Sequence, residues 1–111
     1  MKLSVAFPPV PATPDHIVLA EELGFDTAWV YDTPALQLDV WMTLALAAVR
    51  TGRIRLGPGV LIPSLRHPMV TASAIATLVG LAGPDRVVVG VGTGFTGRRA
   101  MGQRPLRWKD M

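Results

Sequence analysis

The sequence predicts an α/β fold built on a parallel β-sheet. Three observations lead to this class. Short runs of β-branched and aromatic residues alternate with longer apolar runs at helical spacing, and no Asn-Gly or Asp-Gly hairpin turn joins two strands. The run RVVVGVG (86–92) is apolar on both faces, as in a strand covered on two sides. The order β-α-β-α-β-α-β fits either a doubly wound open sheet or the opening of an eight-stranded barrel.

The first strand–helix unit is bounded by local signals. Residues 2–7 form the predicted first strand. Thr13 is a capping residue, Pro14 suits the first helical position, and Gly24 is placed to end the helix in a left-handed conformation. The second strand is predicted over residues 27–31.

The later elements repeat this pattern. Asp39 is predicted to cap a second apolar helix that ends at Gly52. The third strand, residues 54–61, has an irregular end because a Gly-Pro-Gly triplet interrupts it. A His-Pro pair opens a third helix over residues 67–81, and the fourth strand follows at 86–92.

The composition limits which kinds of protein this chain can be. The chain has 111 residues, 50% hydrophobic and 17% charged, which predicts one domain covering residues 1–111. It contains no cysteine, so redox chemistry requires a bound cofactor. The two histidines are distant and the carboxylates scattered, so no metal site is predicted. No apolar run suits a signal peptide or a membrane span, and we expect a cytoplasmic protein with no membrane partner.

Positive charge is concentrated after position 97. That segment holds five basic residues against Asp110 alone, or +4, which leaves about −1 of the total +3 for residues 1–97. It is either a solvated loop and helix start or a contact for an anionic cofactor or nucleic acid. Only one aromatic residue, Trp108, stands among the basic residues, so a nucleic-acid partner is not expected.

Residues 92–97 spell GTGFTG directly after a predicted strand. This G-x-G-x-x-G pattern is found in dinucleotide-binding turns, but those open a long helix, and here Gly102 and Pro105 interrupt it. A phosphate-binding P-loop would end in Gly-Lys-Ser/Thr, whereas two arginines follow here. A plain glycine-rich turn at the end of a strand is the alternative.

Three segments together resemble the luciferase-like monooxygenase family: AEELGFDTAWVYD (20–32), TGRIRLGPGVLIPSLRHP (51–68) and DRVVVGVGTGFTGRRAMGQRP (85–105). The nearest likeness is the branch that uses coenzyme F-420, including methylene-tetrahydromethanopterin reductases. The resemblance implies a (β/α)8 barrel about three times this length. The chain would then supply strands one to four and helices one to three, and stop about where helix four begins.

In such barrels the chemistry lies at the carboxyl ends of the strands, where several residues of this sequence fall. By resemblance, Asp32 would hydrogen-bond the deazaflavin ring, Gly59-Val60 would form a bulge with a non-prolyl cis peptide behind the ring, and Thr93 and Gly94 would line its edge. Without the resemblance, Asp32 is equally a loop cap and the Gly-Pro-Gly triplet a plain turn.

Two departures from the family pattern leave the proton donor and the substrate unidentified. Thr33 follows Asp32 where several family members have a histidine, and Ala6-Phe7 stands where many reductases have an acidic residue. His16 and His67 are interpreted as helix residues rather than as bases.

The leading prediction is an oxidoreductase that transfers hydride between coenzyme F-420 and a small organic substrate. An FMN-dependent monooxygenase of the same family is the first alternative, because the usual phosphate-binding strands of such barrels lie outside this sequence. The second is a truncated, non-catalytic association module: four strands of eight leave open edges and an uncovered face, so we expect a homo-oligomer. The third is a small doubly wound nucleotide-binding domain.

Overall fold

The predicted α/β class is confirmed in the computed structural model, which describes residues 1–111. The strands are β1 (Ser4–Phe7), β2 (Thr27–Val30) and β3 (Arg55–Pro58). The helices are α1 (Thr13–Glu22), α2 (Val40–Ala48), α3 (Pro68–Ala82) and α4 (Phe95–Ala100). Short 3-10 turns lie at Pro63–Leu65, Pro84–Arg86 and Trp108–Asp110. None of the helices has the length and hydropathy needed to cross a membrane.

The three strands form one parallel sheet in chain order. The register places Thr27 of β2 beside Ser4 of β1 and Arg55 of β3. The next extended segment, residues 87–91, lies on the far side of β3. In a doubly wound sheet the fourth strand lies beside the first instead. The strand order therefore contradicts the open-sheet alternative and agrees with a barrel.

Residues 87–91 do not form the continuous, doubly covered strand that the sequence predicted. They make two isolated parallel bridges to the β3 side, Leu56 with Val87 and Leu61 with Val91. Between the two bridges the chain advances five positions on the β3 side, from Leu56 to Leu61, but only four from Val87 to Val91. The β3 side therefore contains one extra residue, which forms a bulge. The five residues are half-buried or exposed because the helices cover one face of the sheet only.

The core lies between that face and the helices. Its buried members are Ile17, Ala20, Ala28, Val30, Val40, Leu44, Ala47, Ala48, Ile54, Leu56 and Leu78. Side chains alternate between the faces of a strand, and in β1 Val5 and Phe7 pack against the core while Ser4 and Ala6 are exposed. The opposite face of the sheet is open, as the barrel interpretation predicts.

Two helix starts were predicted from capping residues, and one prediction was wrong. Asp39 caps α2, accepting a hydrogen bond from the Met42 N–H at 2.8 Å. Thr13 is instead the first residue of α1, and Ala12 holds the cap position. The Thr13 hydroxyl donates to the Pro8 carbonyl at 2.6 Å, so it closes the preceding proline-rich loop.

Helix ends also differ in part from the predictions. Gly24 has φ +87° just past α1, as expected. α2 ends at Ala48 rather than at Gly52, because the Thr51 hydroxyl bonds the Ala47 carbonyl at 2.8 Å and closes the last turn. A fourth helix does begin within this chain: α4 starts immediately after residues 92–94 and is six residues long.

At the amino ends of the strands, Glu21 ties α1 to the segment entering β3. Its carboxylate accepts hydrogen bonds from the N–H groups of Gly52, Arg53 and Ile54, at 2.6 to 3.1 Å. Burial alone would raise the pKa of Glu21, but these hydrogen bonds and the positive charge of Arg86 together lower it below its usual 4.5. The ionised form of Glu21 therefore stabilises this end of the sheet.

Candidate functional site

A cavity of about 440 Å³ opens at the carboxyl ends of the strands. Its wall comes from residues 31–33 after β2, residues 59, 60 and 62 after β3, residues 91–97, and Trp108. The structure brings together on this wall all the residues predicted to contact a cofactor, namely Asp32, Gly59, Val60, Thr93 and Gly94. They come from three separate strand ends, where barrel enzymes carry their active sites.

The peptide bond between Gly59 and Val60 is cis, as the resemblance implied. A side chain at Gly59 would not fit, because a Cβ there would lie 2.9 Å from the Cβ of Trp29. Val60 is 43% exposed on the cavity wall. The segment after β3 thus presents an apolar side chain to the cavity.

The glycines of the GTGFTG segment permit close packing within the protein. A Cβ at Gly92 would lie 2.5 Å from Cγ2 of Val60, and one at Gly94 would lie 2.5 Å from Cγ2 of Ile62. Gly94 also has φ +80°, which favours glycine. The backbone N–H groups of Thr93 and Gly94 donate to no protein acceptor. The segment therefore seals one side of the cavity and leaves two donors beside it.

Asp32 occupies the centre of a buried hydrogen-bond network. Its Oδ2 accepts from the Ile62 N–H at 3.0 Å and from Nη1 of Arg66 at 2.7 Å, and its Oδ1 accepts from Nη2 of Arg66 at 2.8 Å. The Asp32 side chain is 1% exposed and that of Arg66 15%. The hydrogen bond to Asp32 raises the pKa of Arg66 above its usual value, with a smaller contribution from Asp39. The pair anchors the segment after β3 to the end of β2.

Sequence reasoning missed two residues at this site. Arg66 was seen only as part of the resemblance, and no local pattern pairs it with an aspartate 34 positions earlier. Tyr31 lines the cavity, but it was treated as the end of a strand. The alternation of strand side chains is the signal that would have separated Tyr31 from its neighbour Asp32.

The basic C-terminal segment has several internal partners. Arg98 donates to the Ser64 hydroxyl and to the Arg104 carbonyl, both at 2.6 Å. The Arg99 guanidinium lies 4.2 Å from the centre of the Phe95 ring. Arg98 and Arg99 thus make contacts within the protein, and Phe95, which Arg99 contacts, lines the cavity.

Neither histidine lies on the cavity wall. His67 caps α3 by accepting a hydrogen bond from the Met69 N–H, as a helix-entry residue does, and His16 lies in α1 beside the Phe7 ring. No group of three His, Asp or Glu side chains comes together to hold a metal ion.

This chain is similar in sequence and in fold to several known oxidoreductases. The F-420-dependent glucose-6-phosphate dehydrogenase of Beutenbergia cavernae is 40% identical over 109 residues, covering 86% of this chain. The solved structure of the coenzyme F-420-dependent tetrahydromethanopterin reductase from Methanopyrus kandleri is 37% identical with a TM-score of 0.81 over 91% of this chain. The FMN complex of the oxygenating constituent of 3,6-diketocamphane monooxygenase from Pseudomonas putida covers 85% at a TM-score of 0.73; at 22% identity it shows the fold alone.

This chain spans about 30% of the length of each of these proteins. Its three-stranded parallel sheet with alternating helices corresponds to the N-terminal part of their (β/α)8 barrels. The family model described as luciferase-like monooxygenase matches residues 3–107. The chain therefore belongs to the luciferase-like monooxygenase family.

Proposed function

We propose that this chain forms part of the cofactor site of an oxidoreductase that transfers hydride between coenzyme F-420 and a small organic substrate. The observation that carries the proposal is the convergence of Asp32, the cis Gly59-Val60 segment, Thr93 and Gly94 on one cavity wall. Two relatives are named as F-420-dependent enzymes, and they differ in substrate. We therefore propose the cofactor and the reaction type and leave the substrate open.

The residues present fit a flat, largely apolar ring. The cavity volume of about 440 Å³ falls within the roughly 300–1,000 Å³ typical of small-molecule sites, which are mainly apolar with a few polar groups. Val60 would support one face of the ring, and the N–H groups of Thr93 and Gly94 would donate to acceptors at its edge. A carboxylate has about four lone-pair positions that can accept hydrogen bonds, and three of those of Asp32 are occupied. Asp32 would accept a hydrogen bond from the ring at the remaining position.

When bound, the deazaflavin supplies the hydride chemistry, and this chain supplies shape and orientation. The packing of residues 92–94 against Val60 and Ile62 holds the wall in place. The Asp32–Arg66 pair fixes the segment after β3 in turn. These contacts would orient a bound ring without any side chain of this chain taking part in the hydride step.

FMN is the second candidate cofactor. One neighbour in fold is an FMN complex, and FMN shares a tricyclic ring with F-420. The same wall would accept either ring, so discrimination would depend on groups that bind the remainder of each cofactor.

The test uses a hybrid barrel in which residues 3–107 of this chain replace the matching segment of the Methanopyrus kandleri reductase. Coenzyme F-420 and FMN are titrated separately into the hybrid barrel and into the 111-residue chain, with binding followed by cofactor fluorescence. We expect the hybrid barrel to bind F-420, because the reductase segment supplies the groups that bind the remainder of that cofactor and residues 3–107 supply the wall for its ring. Preference for FMN would overturn the choice of cofactor, and binding of neither by a folded hybrid barrel would overturn the proposed function.

We also propose that the protein is a homo-oligomer. α3 contains no charged residue, yet among its 15 residues only Leu78 is buried. Met69 and Val70 are among its exposed side chains, and an uncharged exposed face of this kind commonly marks an interface. Light scattering after gel filtration should show an oligomer that Ala76→Glu disrupts and that Gln103→Glu, in the exposed tail, does not. A monomeric wild-type protein would contradict this proposal.

A further inference from the structure

We infer that Tyr31 binds ligand in the cavity, donating a hydrogen bond from its phenol to an acceptor on the bound molecule such as a carbonyl oxygen or ring nitrogen. The inference rests on the proposed function and adds to it a ligand-binding residue and the chemistry of the group that it recognises. Neither the pattern of residues nor the resemblance assigned a role to Tyr31.

The first support is the direction of the strand side chains. Val30 is fully buried in the core on the helix side, whereas Trp29 covers Gly59 on the open face. The extended backbone continues through Tyr31, because its N–H donates to the Phe7 carbonyl at 3.1 Å. Alternation therefore sends Tyr31 to the open face and Asp32 to the helix side.

The second support is that the Tyr31 hydroxyl is free to form a hydrogen bond with a ligand. Tyr31 and Asp32 are the two acid–base side chains on the cavity wall. The Asp32 carboxylate is 1% exposed and already accepts three hydrogen bonds from Arg66 and Ile62. Tyr31 is 40% exposed, and its hydroxyl makes no hydrogen bond within the protein. Of these two side chains, the phenol therefore has the more accessible hydrogen-bonding group.

The third support is the chemistry of the side chain itself. A phenol combines a flat apolar ring with one hydroxyl that both donates and accepts. Small-molecule sites rely on a few such polar groups to orient a ligand against apolar walls. Tyr31 follows β2 and Val60 follows the neighbouring strand β3, and both line the cavity. A flat ligand bound at these two strand ends would therefore meet both an apolar support and a donor.

The test compares Tyr31→Phe with the wild-type sequence in the hybrid barrel, using F-420 and FMN as ligands. Removal of one hydroxyl should raise the dissociation constant, for whichever of F-420 and FMN binds more tightly, by about threefold to tenfold. This is the range expected for the loss of one hydrogen bond. Thr77→Val is the matched control and should bind as the wild type does, because it removes an exposed hydroxyl on α3, a helix that contributes no residue to the cavity wall. Thermal unfolding of each variant checks that the fold is retained.

A loss of less than threefold in Tyr31→Phe would overturn the inference while leaving the proposed function in place. Absence of binding by the wild-type hybrid barrel would instead remove the proposed function and the inference with it.

The 111-residue chain provides a second measurement if the hybrid barrel fails to fold. Tyr31 is its only tyrosine, so 3-fluorotyrosine labelling yields a single fluorine NMR signal. The inference expects that signal to shift saturably with F-420 or FMN. A signal that stays in place while tryptophan fluorescence reports ligand binding would overturn it.

Discussion

Replacement of Arg66 by methionine should destabilise the protein more than the loss of any exposed ion pair. The change removes two of the three hydrogen bonds of a carboxylate that is 1% exposed and leaves its charge without a counter-ion. Breaking a buried pair in this way typically costs about 3–5 kcal/mol. Because Arg66 is itself 15% exposed and the Ile62 N–H still donates to Asp32, we expect the lower end, about 3 kcal/mol.

Urea unfolding of the 111-residue chain, followed by circular dichroism, measures this loss. Arg55→Met is the matched control, since Arg55 and its partner Asp26 form a more exposed pair that should contribute much less to stability. The double variant Arg66→Met with Asp32→Asn removes the buried charge as well, so it should lose less stability than the sum of the two single changes. A loss below about 1 kcal/mol in Arg66→Met, or strictly additive effects, would refute the reasoning.

Three further predictions concern other parts of the chain. Gly92→Ala should cost about 1–3 kcal/mol in urea unfolding and weaken cofactor binding by the hybrid barrel, because the new Cβ collides with a neighbouring valine; Gly52→Ala, with open space around it, should be near neutral. Gly80→Ala, inside α3 with nothing within 4 Å, should stabilise by about 0.5–1 kcal/mol, and a loss would show that the helix packs differently. Since the pKa of Glu21 is lowered by folding, its contribution is present above its usual 4.5 and is lost as pH falls below that value. A plot of unfolding midpoint against pH should therefore be flatter below 4.5 in Glu21→Gln than in Glu22→Gln, and identical slopes would contradict the assignment.

Much of the fold follows from local patterns in the sequence. The strand–helix alternation, the Asp39 cap and the left-handed Gly24 all depend on neighbours within a few positions, and the structure confirms them. The cis bond at Gly59-Val60 and the cluster of predicted residues at one cavity came from the resemblance, and they too are present. Local patterns failed at Thr13, whose hydroxyl found a partner in the preceding loop.

The sequence by itself determined the class of fold, the order of its elements and the strand ends at which the cavity lies. Only the tertiary structure decided that the glycines of residues 92–97 pack on Val60 and Ile62 and that a bulge on the β3 side interrupts the pairing of residues 87–91. It also decided that the Asp32 carboxylate pairs with Arg66, while the neighbouring Tyr31 lines the cavity. The physical reason is the range of the interactions. Caps and turns satisfy backbone groups a few residues away, whereas the pairing of a buried charge and the approach of two backbones depend on segments about 30 positions apart that meet only when the sheet forms.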